Sequence, residues 1–171
     1  ASGESFDPFS LVSAYSGTSG DDIIDIEFIN QINPNVVNDD NFVVEAKAGN
    51  DTIIFGNGHN IIDAGEGEDS VILGHGDNSI VFSDGGDVIS AGDGDNIIET
   101  QWSNNELTLG DGSNNISTEN GFNSINLGNG DNFVNLGEYT DGLDAEGRSS
   151  LIYGDGDNNI TVDTSTYIFG G

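Results

Sequence analysis

From Lys47 to Leu136 the chain alternates polar, glycine-rich stretches with short apolar runs at a fixed period of nine. With Lys47 as position one, ten nonads follow without insertion or deletion. Position seven is then Ile53, Ile62, Val71, Ile80, Ile89, Ile98, Leu107, Ile116, Ile125 and Val134, always a branched aliphatic. Position nine is apolar at Phe55, Ala64, Leu73, Phe82, Ala91, Leu109, Leu127 and Leu136, with Thr100 and Thr118 completing the set. Positions six and eight are mixed. An apolar residue at every second position predicts a strand of three or four residues with one face buried. A helical repeat is excluded, because glycine and asparagine interrupt the unit before a stable helix can form.

The rest of each nonad is a turn. Position five is always Asp or Asn: Asp51, Asn60, Asp69, Asn78, Asp87, Asn96, Asn105, Asn114, Asn123 and Asn132. These short polar side chains favour turns and bond to nearby backbone. Position three is glycine from Gly49 to Gly130 except at Ser103, which points to positive φ or to close approach of backbone. Two nonads make strand, turn, return strand and turn, a coil of 18 residues whose copies stack with parallel strands and bury a shared thin core. The predicted fold is all-β, a right-handed parallel β-roll, that is, a β-helical solenoid with about 18 residues per coil. Ten nonads make about five coils, a stack on the order of 24 Å long.

Outside this frame the pattern loosens. Gly20, Asp22 and Ile24 fit positions three, five and seven of another nonad, but Glu27 to Asn41 leaves the period. Residues 1–46 are therefore expected to form irregular N-terminal coils and a cap, with Phe6, Phe9, Val12 and Tyr15 covering an apolar end. Residues 47–136 are the regular roll. Residues 137–171 combine a loop insertion, Glu138 to Ser150, with a restart at Gly154 and a closing strand through Tyr167, Ile168 and Phe169.

Charge narrows the function. Thirty-one acids face two basic residues, for a formal net charge of -29. This opposes compaction unless cations neutralise it, and it excludes a phosphate-backbone site of the kind nucleic-acid binding needs. There is no cysteine, so disulfides and thiolate metal sites are ruled out. No apolar run approaches the roughly 20 residues of a membrane-spanning helix. The first residues lack the basic start and apolar centre of a signal peptide.

Because a coil is two nonads, alternate turns fall on opposite edges. One edge receives Asp51, Asp69 and Asp87 and then Asn105 and Asn123; the other receives Asn60, Asn78, Asn96, Asn114 and Asn132. Carboxylates one coil apart, beside glycine turns, suit a hard cation that takes six or more oxygens. Ca²⁺ tolerates that mixed shell better than Mg²⁺ does. The pairs Asp51 with Asp69 and Asp69 with Asp87 are the expected intercoil ligands. The Asn edge is expected to form a ladder of stacked amides, with Asp77, Asp95 and Asp131 facing water beside it.

The units AGEGEDSVI, LGHGDNSIV and AGDGDNIIE resemble the glycine-rich nonapeptide repeats of the RTX (repeats-in-toxin) family, written GGxGxDxUx with U a large apolar residue. The resemblance covers 47–136, 154–162 and Gly20 to Ile24. It implies a calcium-binding β-roll from a bacterial protein exported by type I secretion, placed outside the cell or on its surface. The family's motif aspartate falls on Asp51, Asp69 and Asp87, and its later glycine on Gly49, Gly67 and Gly85. Asparagine stands at seven of the ten motif aspartate positions, so a few ions are expected rather than one in every turn.

The function expected from these readings is a calcium-binding structural module that stabilises or assembles a larger exported polypeptide. The alternative is a module that binds polysaccharide or another copy of itself. His59 and His75 have no accompanying nucleophile pattern, and no enzyme is expected. The outward rows, such as Thr52, Ser70, Val88, Glu106 and Ser124, lack the even threonine array expected of an ice-binding face.

Overall fold

A computed structural model describes residues 13–34, 36–137, 149–161 and 166–170. The described residues form a parallel β-solenoid built of two eight-stranded sheets. The odd-numbered strands form one sheet: β1 (Ser13–Ser16), β3 (Phe42–Glu45), β5 (Ile61–Gly65), β7 (Ser79–Phe82), β9 (Ile97–Trp102), β11 (Asn115–Asn120), β13 (Phe133–Leu136) and β15 (Asn159–Thr161). The even-numbered strands form the other: β2 (Ile23–Asp25), β4 (Thr52–Ile54), β6 (Ser70–Ile72), β8 (Val88–Ala91), β10 (Glu106–Leu109), β12 (Ser124–Leu127), β14 (Ser149–Tyr153) and β16 (Thr166–Gly170).

The register repeats the sequence period. Ile53 pairs with Val71, Val71 with Ile89, Ile89 with Leu107 and Leu107 with Ile125, a step of 18 residues each time. All are buried, as are Ile62, Ile80, Ile98, Ile116 and Val134 in the facing sheet. Position nine completes the interior, with Phe55, Leu73, Phe82 and Leu109 buried. Positions six and eight face outward, as the exposed Ile54, Ile61, Ile72, Ile97 and Phe133 show. No coil encloses a core alone, so each depends on its neighbours for burial and for strand hydrogen bonds.

Two insertions interrupt the period without disturbing the stack. Ile24 pairs with Ile53, a step of 29 residues, because helix α1 (Ile26–Ile32) and the loop after it occupy the connection to β3. Asp25 caps α1 through the Phe28 N–H, and Ile29 is its buried residue. Ile125 pairs with Leu151, a step of 26. The expected long loop through Ser150 ends earlier: Ser149 and Ser150 already belong to β14, where Ser150 matches Ser124. The rest of that loop, Glu138 to Arg148, lies outside the described residues, as do Phe6, Phe9 and Val12. Tyr15 packs at a tilt on Phe42, which in turn stacks on Phe55 with ring centres 4.2 Å apart. The closing strand falls where the STYIFGG segment predicts it.

Candidate functional site

The turns on the two edges are joined by side-chain ladders. On the Asn edge, Asn78 Oδ1 accepts the backbone N–H of Asn60 at 3.1 Å and its side-chain amide at 2.9 Å. Asn60 Nδ2 also donates to the Gly58 carbonyl at 2.9 Å. The same three bonds recur from Asn78 to Asn96, from Asn96 to Asn114 and from Asn114 to Asn132. Asn132 then donates in the same way to Asn158. A buried amide with its donors and acceptor all engaged costs little to bury, and this is the expected amide ladder.

Two further ladders run along the outside of this edge, and the sequence reading did not find them. At position two, His75 N–H donates to Asn57 Oδ1, Asp93 N–H to His75 Nδ1, Asp111 N–H to Asp93 Oδ1 and Asn129 N–H to Asp111 Oδ1. At position four, Asp77 N–H donates to His59 Nδ1, Asp95 N–H to Asp77 Oδ1 and Ser113 N–H to Asp95 Oδ1. The polarity is reversed: here each side chain reaches forward to the next coil, whereas the buried asparagines reach back. Asp77, Asp95 and Asp131 are exposed as expected, but each also accepts a backbone N–H of the following coil. His59 and His75 are ladder members, and acceptance at Nδ1 places the proton of each neutral ring on Nε2.

The Asp edge uses the same inner scheme with one atom changed. Asp51 Oδ1 accepts Asp22 N–H at 2.7 Å, Asp69 Oδ1 accepts Asp51 N–H at 2.8 Å and Asp87 Oδ1 accepts Asp69 N–H at 2.9 Å. Asn105 and Asn123 continue the column, and Ser149 closes it by accepting Asn123 N–H and donating to the Gly121 carbonyl. All three aspartates are buried, and Oδ2 of each has no hydrogen-bond partner. Oδ2 is the counterpart of Nδ2 on the Asn edge, which there donates to the glycine carbonyl two residues back. An oxygen therefore stands where the fold elsewhere supplies N–H.

Electrostatics follow from that exchange. Burial pushes the Asp69 and Asp87 carboxyls up to about 6; the accepted backbone N–H opposes the shift, and the carboxylate of the preceding coil, Asp51 or Asp69, adds to it. Asp51 is raised for the same leading reason, with Asp22 and Asp21 contributing repulsion. Desolvation disfavours the charged form, and stacked like charges disfavour it further.

The glycines of the motif hold the turns together. Gly49, Gly67 and Gly85 have φ of 120°, 132° and 136°. A Cβ at Gly67 would collide with the Gly49 carbonyl oxygen, and one at Gly85 with that of Gly67. These carbonyls therefore pack directly on the glycine of the next coil.

The sequence-predicted metal residues thus fall on one edge in consecutive coils. Their donor chemistry fits a hard cation: each aspartate has an oxygen without a donor, next to glycine turns. Among the described residues, no group of three or more His, Asp or Glu converges as a ready-made metal cluster. Asp51, Asp69 and Asp87 are the residues that would hold such an ion. No helix among the described residues is long and apolar enough to cross a membrane. The fold and ladders define a parallel β-solenoid with stacked asparagine ladders. Comparison with protein-family models, with curated proteins and with solved structures finds no match for this chain.

Proposed function

We propose that the chain is a calcium-responsive solenoid scaffold, a module that stiffens or spaces a larger exported or cell-surface bacterial protein. The observation that carries this reading is the column of three buried carboxylate oxygens, Oδ2 of Asp51, Asp69 and Asp87, each without a donor. A cation shared between neighbouring coils neutralises two carboxylates and fastens one coil to the next. Ca²⁺ suits this task because it accepts carboxylates and carbonyls in an irregular shell. The resemblance to RTX repeats supports the same ion, edge and location. The ladders otherwise serve as structure, and the work of the module is mechanical rather than catalytic.

Calorimetric titration with Ca²⁺ and with Mg²⁺, paired with thermal unfolding in chelator, tests this. Ca²⁺ should bind and raise the unfolding temperature, since an ion held only by the folded state stabilises by mass action. Asp69→Asn should reduce affinity or stoichiometry, because Asp69 belongs to both intercoil pairs. Unchanged stoichiometry and affinity in that variant would rule out this placement. Absence of a calcium effect on the parent chain would rule out the reading itself.

A further inference from the structure

Histidine occurs twice in the chain, and both copies stand in the outer ladders of the Asn edge. His59 Nδ1 accepts Asp77 N–H at 3.0 Å and joins turn 56–60 to turn 74–78; His75 Nδ1 accepts Asp93 N–H at 3.0 Å and joins turn 74–78 to turn 92–96. The two rings therefore supply a link on either side of a single turn. Each Nδ1 also faces a carboxylate oxygen of the residue whose N–H it accepts: Asp77 Oδ2 lies 3.6 Å from His59 Nδ1, and Asp93 Oδ2 lies 3.4 Å from His75 Nδ1. All four side chains are more than half exposed, so protons reach the rings without any opening of the coil.

Elsewhere in these ladders the acceptor is an amide or carboxylate oxygen, as at Asn57, Asp77 and Asp93, and it keeps its lone pairs at any pH above the carboxylate range. Imidazole does not. Its second proton goes to Nδ1, the accepting atom, and the ring then has two donors and no acceptor. Histidine ordinarily makes this change between about pH 5 and 8. A ring so charged releases the N–H and donates instead to the Oδ2 beside it. The charged groups on the turns stacked against the two rings are Asp39, Asp40, Asp77, Asp93 and Asp95, all acids and so all partners for a positive ring.

We infer that the Asn edge carries a proton-operated joint at turn 74–78: protonation of His59 and His75 exchanges the outer hydrogen bonds on both sides of this turn for ion pairs with Asp77 and Asp93, and releases the two backbone N–H groups to water. The inner rungs from Asn60 to Asn78 and from Asn78 to Asn96 contain no titratable group and hold in both states. The coil therefore stays closed while its outer layer changes from backbone hydrogen bonds to exposed ion pairs, which salt screens. The joint lies on the edge opposite the aspartate column and acts with or without a metal ion, so it does not rest on the calcium reading.

NMR on the whole chain in chelator, following ring and amide signals from about pH 8 to about pH 5, tests the inference. Exchange of the Asp77 and Asp93 amides, corrected for its intrinsic pH dependence, should quicken about three- to tenfold as the rings gain charge, the worth of one net hydrogen bond. The N–H groups of Asp95 and Asp111, held by the carboxylates of Asp77 and Asp93, should keep their protection. His59→Asn, which places one of the ladder's own acceptors there, should abolish the response at Asp77 and leave that at Asp93; His75→Asn should do the converse. Constant protection at Asp77 and Asp93 through the titration of the rings, a response that persists in both asparagine variants, or neutral rings protonated on Nδ1 would each overturn the proposal.

Discussion

Asp51 and Asp69 are joined across one coil by a single hydrogen bond, from the N–H of Asp51 to Oδ1 of Asp69 at 2.8 Å. Across the opposite edge, Asn60 and Asn78 are joined by two, from backbone and side chain to one Oδ1. In both places the backbone N–H of one coil is taken by Oδ1 of the next. Only the second atom of the side chain differs, and on the Asp edge it is a buried oxygen with nothing to donate to it. The acid column is therefore held in place by the fold and destabilised by its own charge, which makes it sensitive to whatever neutralises it.

The first consequence is an inverted response to acid. Asp69 and Asp87 sit near 6 in the folded chain against an ordinary 3.8, and Asp51 is raised in the same direction. Folded chain binds these protons more tightly than unfolded chain does. Their stabilising effect is therefore fully present below about pH 3.8 and is lost as pH rises through about 6. Urea midpoints in chelator should rise as the buffer is taken from pH 7 towards pH 5. The variant with all three aspartates changed to asparagine should lose most of that slope, which separates the ladder from the general relief of surface repulsion. A slope equal to that of the parent would place the effect elsewhere.

Asp87→Asn should change sign with calcium. In chelator the new amide supplies a donor at a buried position that had none, and stability should rise by about 1 to 3 kcal/mol, or several degrees in unfolding temperature. In calcium the same change removes a ligand, so the gain should shrink or reverse. Thermal scans of parent and variant in both buffers measure the crossing. Parallel shifts in the two buffers would show that Asp87 does not bind the ion.

The Asn edge should be costly to cut. Asn78→Leu removes the acceptor of the Asn60 backbone N–H, which is left buried without a partner, and leaves the Asn60 side-chain amide only its bond to the Gly58 carbonyl. The expected loss is about 2 to 5 kcal/mol. Asn57→Ala, in the exposed outer ladder, removes the acceptor of His75 N–H where water can replace it, and the loss should stay under about 1 kcal/mol. Equal losses at the two sites would show that the buried ladder contributes nothing beyond a turn contact.

Much of this was legible in the sequence because it repeats one letter at one place. The branched aliphatics at position seven and the Asx residues at position five declare the two-residue alternation, the coil length and the division into edges. The outer ladders stayed hidden because Asn, His and Asp all offer an acceptor at the same reach, so no single letter recurs. Ser149 was hidden for the same reason: it ends the Asp column with a hydroxyl, after a 26-residue step that conceals its register. The burial of Oδ2 could not be read at all, since the sequence identifies a carboxylate but not which of its oxygens the next coil takes.

Glycine at position three gives the last test, because its role combines backbone conformation and space. Gly67 has φ 132°, and a Cβ there would collide with the carbonyl oxygen of Gly49, a backbone atom that cannot rotate away. Gly67→Ala therefore requires either a rare conformation for an L residue or separation of two coils at the Asp edge, and the expected loss is about 3 kcal/mol or more. Gly86, one residue from the corresponding position of the next coil, is exposed, and a Cβ there would meet only the Asn104 carbonyl oxygen at 3.3 Å. Gly86→Ala should cost less than about 1 kcal/mol. Chemical denaturation of the two variants in chelator compares them without the ion. Because separation of the coils also parts Asp51 from Asp69, Gly67→Ala should bind calcium more weakly as well, while Gly86→Ala should bind it as the parent does. A Gly67 variant with parental stability would mean that the coils have slack at this edge, and the tight carbonyl-on-glycine stacking would then not be what sets their spacing.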